Sequence, residues 1–102
     1  MPTNAPVREA PTTTPELTFR VEWLPPYRVI VHNNDHNSFD EVIAVLAAAV
    51  PGLGIEGAIA VTYEIHLTGA AVVFRGDMEE AEQCARTIRS IGIKVTVEPD
   101  DC

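Results

Sequence analysis

Proline stands at positions 2, 6, 11 and 15 and again as the pair Pro25-Pro26, and this spacing confines helices to the residues beyond that pair. Each proline removes an amide donor and breaks a helix, so a helix cannot span the first quarter of the chain. Thr12, Thr13 and Thr14 add polarity. Residues 1–23 therefore read as a flexible Pro/Thr-rich extension, and residues 24–102 as the one folded domain. Leu17, Phe19, Val21 and Trp23 alternate with polar residues at the end of the extension. They are compatible with a short strand or with a segment that docks on a partner.

After the proline pair the pattern is local and legible. Tyr27-Arg28-Val29-Ile30-Val31-His32 is rich in β-branched and aromatic residues and predicts a buried strand. Five polar residues, Asn33-Asn34-Asp35-His36-Asn37, break it into a loop. Ser38 and Glu41 stand at the spacing of a capping box, which predicts a helix start. Phe39, Val42, Ile43, Leu46 and Val50 then form one apolar face, and Pro51-Gly52 ends the helix.

A second helix is predicted over about 56–67, with Ile59, Thr62, Tyr63 and His66 in register and Gly69 as a left-handed stop. Residues 70–74 predict a short apolar strand. Asp77 caps a third helix, whose inner stripe is Met78, Ala81, Cys84, Ala85, Ile88 and Ile91 and which ends at Gly92. Ile93, Val95 and Val97 alternate with Lys94, Thr96 and Glu98 as a half-solvated strand. The resulting fold class is α+β, in the order βααβαβ, with a three-stranded antiparallel sheet and three helices on one of its faces.

Charge narrows the function. Fifteen acidic against seven basic residues leave a net charge of −8, with no cluster of Lys and Arg for phosphates. Nucleic acid and an anionic membrane surface are disfavoured. No apolar run approaches the length of a membrane span, and no signal peptide is read, so a cytoplasmic protein is expected. Cys84 and Cys102 make no disulfide framework and read as free thiols. No phosphate loop or nucleophile elbow is present, and no enzyme is expected. His32, His36, His66 and Asp35 lack the spacing of a metal site, and neither metal nor cofactor is expected. Taken alone, His66 near a helix end is accounted for by the helix dipole or by core packing.

Three stretches resemble one family. Leu24-Pro25-Pro26-Tyr27-Arg28-Val29-Ile30-Val31-His32-Asn33-Asn34-Asp35 resembles the opening of the ClpS family, the adaptors of the Clp AAA+ proteases. Glu64-Ile65-His66-Leu67-Thr68-Gly69 is similar to that family's V-H-x-x-G segment, and residues 81–99 to its last helix and strand. The resemblance covers residues 24–99. It implies a monomeric adaptor that binds peptides beginning with a large hydrophobic residue and delivers them to the protease. The extension would be engaged during delivery.

The resemblance also implies residue roles. An ammonium needs acceptors: an amide oxygen at Asn33, a carboxylate at Asp35 acting through water, and an imidazole at His66. Val42, Ile65 and Val97 match apolar wall positions. Phe39 stands where the family has a methionine gatekeeper, and Thr62 where a wall methionine is common. Asn34 replaces an aspartate, Asn37 a threonine and Ser38 a proline of the family's loop. Phe39 and Val42 are expected to crowd the ligand's Cβ and reject β-branched first residues. For docking on the N-terminal domain of a Clp unfoldase, Asp77 matches the family's acidic position, Glu82 replaces its lysine, and Glu80 lies between them. From the residues alone, Phe39, Val42 and Val97 read as core, and the acidic helix start as a solvated face. The competing reading is an interaction domain of a fold shared with the C-terminal domain of the ribosomal stalk protein, without degron binding.

Overall fold

The computed structural model describes residues 26–100. The expectations for residues 1–23, for the boundary at residue 24 and for Cys102 lie outside the described residues.

The element order is β1 (Tyr27–His32), α1 (Phe39–Ala49), α2 (Gly54–Thr68), β2 (Ala70–Gly76), α3 (Met78–Arg89) and β3 (Val95–Pro99). The sheet is antiparallel in the order β2-β1-β3, so the first strand is central. This is the α+β architecture that the sequence predicts. α3 packs across all three strands, α2 lies against β2, and α1 packs on both α2 and α3.

The core lies between sheet and helices. Val29 and Val31 of β1, Leu46 of α1 and Ile88 of α3 are fully buried there. Burying a side chain of this kind contributes about 1.5–3 kcal/mol. A β-bulge between Val29 and Ile30 shifts the β1–β2 register, so that Val29 faces Phe74 while Ile30 faces Val72. Val73 and Phe74 thereby both reach the helix side. On the opposite face Arg28 pairs with Glu98 at 3.0 Å, and Asp100 bridges Arg28 and Arg75. The two arginines stand opposite each other in the register, and the shared carboxylate offsets their repulsion.

The expected capping box at Ser38 forms, and the Asp77 cap is a capping box as well. The Ser38 hydroxyl accepts from the Glu41 amide, and the Asp77 carboxylate from the Glu80 amide. Gly69 closes α2 at φ 95°, with its amide donating to the Ile65 carbonyl.

Several details differ from the sequence reading. α2 buries Ala58, Thr62 and Ile65, while Ile59 and Tyr63 are exposed. Ile55, Ile59, Tyr63 and Leu67 are left exposed at a spacing of four. On α1 the buried face takes Val45 with Val42 and Leu46, and Ile43 is only partly buried. β2 runs two residues further than predicted. α3 ends at Arg89, three residues before Gly92; tight turns carry the chain to Gly92 at φ 86°, and the Arg89 guanidinium donates twice to the Val95 carbonyl of β3.

Candidate functional site

The site forms where β1 ends. The His32 amide donates to the Lys94 carbonyl and the Asn33 amide to the Gly69 carbonyl, which brings three chain segments together. The polar loop crosses this junction. The Asn34 carboxamide oxygen accepts from the amides of His36 and Asn37, an Asx turn closed by its own side chain. The Asn34 amide group donates to Asn37 Oδ1 at 2.8 Å, and Asn37 donates to the Ile91 carbonyl at 2.8 Å. The loop is therefore braced to the segment beyond α3.

Under the loop lies a cavity of about 250 Å³ lined by Asn33, Asn34, Asp35, Asn37, Phe39, Val42, Thr62, Ile65, His66 and Ile93. At roughly 30 Å³ per water this is the room of about eight water molecules, the scale of one large side chain with some solvent. Its floor is Val42, Thr62, Ile65 and Ile93, all buried. Asn33, Asp35 and His66 stand exposed at the rim, with Phe39 half-buried beside them. The Thr62 hydroxyl donates to the Ala58 carbonyl at 2.7 Å, so its donor is spent within its own helix and only acceptor capacity remains.

Nine of the ten residues expected at the binding site line this one cavity. Val97 does not. It sits in β3 opposite Val29, packed against the core, and Ile93 takes a place on the cavity floor instead. Alternation carries Val97 along the strand away from the β1 end. Ile93 keeps the buried alternation expected with Val95 but lies just before β3, which begins at Val95 rather than at Ile93. Sequence position gives Tyr63 no place in the site, yet its ring lies 5.1 Å from that of Phe39.

The polar residues divide by commitment. Asn34 and Asn37 are used up in bracing the loop. Among the described residues the side chains of Asn33 and Asp35 form no protein hydrogen bond, and His66 meets only the Phe39 ring, 5.1 Å away. Three groups with acceptor capacity thus stand free around an apolar floor. His32 is elsewhere engaged, its Nε2 lying 3.1 Å from the Thr96 hydroxyl. Among the described residues no three His, Cys, Asp or Glu side chains gather as metal ligands.

The residues expected to meet a partner are at the start of α3. Asp77 and Glu80 hold each other as the capping box, and Glu82 approaches Arg89 at 4.0 Å. Met78 is exposed between them. Glu80 also lines a larger cavity of about 570 Å³ that includes Phe74, Arg75, Gln83 and Cys84, and this cavity holds none of the expected ligand-binding residues. Burial pushes the Cys84 thiol above its ordinary range.

Fold and cavity together define a small binding domain, an open pocket with an apolar floor and a polar rim on a three-stranded scaffold. The model for the ATP-dependent Clp protease adaptor protein ClpS matches residues 23–96, and the chain belongs to that family. It is similar to the ATP-dependent Clp protease adapter protein ClpS of Synechococcus elongatus, 37% identical over 87 residues that cover 85% of this chain and 92% of that one. It is 40% identical over 76 residues to the chloroplastic adapter protein CLPS1 of Arabidopsis thaliana, covering 74% of this chain and 48% of the plant protein, about half its length. The solved structure of Agrobacterium tumefaciens ClpS2 bound to L-phenylalaninamide matches with a TM-score of 0.69 and 26% identity, covering 74% of this chain and 98% of that one. The relatives are named as adaptors of the Clp protease, and adaptors are not enzymes. No helix among the described residues is long and apolar enough to cross a membrane.

Proposed function

We propose that this chain binds the N-terminus of substrate proteins that begin with a bulky hydrophobic residue and delivers them to a Clp AAA+ protease in the cytoplasm. The observation that carries this reading is the set of three uncommitted polar side chains, Asn33, Asp35 and His66, on the rim of an apolar cavity. A free α-amino group brings charged donors to those acceptors, and the first side chain fills the floor of Val42, Thr62, Ile65 and Ile93. Hydrogen bonds to a charged group are worth about 1.5–3 kcal/mol each, and burial of the side chain adds about as much. After ordering costs the sum is on the order of −8 kcal/mol, micromolar affinity, which suits a carrier that must let go.

The phenylalaninamide bound by the Agrobacterium relative has this chemistry: a free amino group, an aromatic side chain and an uncharged amide in place of the rest of a peptide. In this reading the adaptor acts as a monomer. The acidic start of α3, with Asp77, Glu80 and Glu82 around Met78, meets the N-terminal domain of the unfoldase, and residues 1–23 serve delivery.

The test compares a Leu-initiated peptide with its acetylated twin. Acetylation removes the charge and leaves the side chain, so binding is expected to be lost. Equal affinity for the two would sink the reading and favour an interaction domain without degron binding.

A further inference from the structure

Phe39 is the first residue of α1, where a helix is held least firmly, and its side chain turns on two torsions. Yet two rings from α2 fix it. Tyr63 lies 5.1 Å away at 84° and His66 5.1 Å away at 71°, both edge-to-face. The two are three positions apart and so share one face of α2. Phe39 lines the cavity and meets both a residue of the polar rim and an exposed tyrosine. Tyr63 itself is 53% exposed and does not line this cavity, so core packing does not account for it. Among the described residues its phenol hydroxyl makes no hydrogen bond. What the tyrosine supplies is a ring against Phe39.

We infer that Tyr63 is a positioning residue that holds the Phe39 ring across the cavity mouth and thereby sets discrimination against β-branched first residues. The inference rests on the reading of this cavity as the site for a peptide's first residue. An unbranched Cβ passes the ring edge, whereas a second substituent on Cβ meets it. That steric exclusion requires a ring that stays where it is. Without Tyr63, Phe39 is held from the His66 side alone and can swing toward the space the phenol leaves. The same contact links mouth and rim, because the ring that Tyr63 holds is the one against His66.

The experiment uses the full chain and peptides differing only in their first residue: Leu, Phe, Ile and Val, with acetylated Leu as control. Affinities are measured for the parent, Tyr63→Phe and Tyr63→Ala. The Tyr63→Phe variant keeps the ring and is expected to keep the Leu-to-Ile ratio within about twofold. In Tyr63→Ala the ratio is expected to fall by roughly 2- to 10-fold, the worth of one aromatic edge contact, with affinity for Leu nearly unchanged. A preserved ratio in Tyr63→Ala overturns the inference, as does an equal loss in Tyr63→Phe. If the parent binds free and acetylated Leu peptides alike, the cavity reading itself fails and the inference falls with it. The unliganded protein gives an independent measurement. Contacts between the Phe39 and His66 rings, followed by nuclear Overhauser effects, should persist in Tyr63→Phe and weaken in Tyr63→Ala. Undiminished contacts in Tyr63→Ala would show that Tyr63 holds nothing.

Discussion

Asn37 reaches 54 residues along the chain to donate to the carbonyl of Ile91 at 2.8 Å, and that bond ties the roof of the binding cavity to the end of the third helix. Its oxygen is occupied by Asn34. Both ends of the Asn37 carboxamide are therefore committed to the shape of the loop.

Replacing Asn37 by Ala strands the Ile91 carbonyl and frees the loop. A lost bond of this type costs about 1–3 kcal/mol of stability where the partner stays partly buried. Affinity should fall for every first residue alike, with selectivity among them unchanged. Thermal unfolding combined with a peptide panel checks both halves, and a change in selectivity would place Asn37 in direct contact with the ligand.

His66→Ala separates binding from folding. His66 is exposed and makes no hydrogen bond among the described residues, so the melting temperature should hardly move. Affinity for a Leu-initiated peptide should drop by about 1.5–3 kcal/mol, the value of a bond to a charged group. Calorimetry on variant and parent reads the difference directly.

Asp77 has two roles to disentangle, a cap with Glu80 and a proposed contact with the unfoldase. Asp77→Ala removes the acceptor of the 2.7 Å bond from the Glu80 amide and should cost about 1 kcal/mol of stability. Asp77→Asn keeps a good cap and removes the charge. It should leave stability within a few tenths of a kcal/mol while weakening binding to an isolated unfoldase N-terminal domain. Unaltered binding in Asp77→Asn would limit the residue to capping.

Cys84 yields a prediction in pH. Burial raises its pKa, so in the alkaline range the folded state keeps a proton that the unfolded chain gives up. The stability this group contributes is complete below the ordinary thiol range and declines as pH rises through it toward the raised value. In a Cys102→Ser background, alkylation of Cys84 at neutral pH should be slow in the folded protein and fast in denaturant. Equal rates would mean that the thiol is accessible.

The order βααβαβ, the capping box at Ser38, the cap at Asp77 and the left-handed stop at Gly69 are legible in the amino-acid pattern. They depend on residues a few positions apart, and period, caps and glycines carry them locally. Motif resemblance also points to the loop and to His66, which the fold brings to one cavity. Contacts between distant segments carry no such local signal. Packing is what ties Asn37 to a distant segment while Asn33 and Asp35 stay free, since the carbonyl that binds Asn37 belongs to Ile91. Packing also puts Ile93 on the cavity floor in place of Val97, because Val97 pairs with Val29 further along β1 from the cavity. And it turns Ala58, Thr62 and Ile65 of α2 inward, leaving Tyr63 outside against Phe39. Apolar side chains stand on more than one face of α2, so their pattern alone does not say which face is buried; the packing of α2 against α1 and β2 decides it.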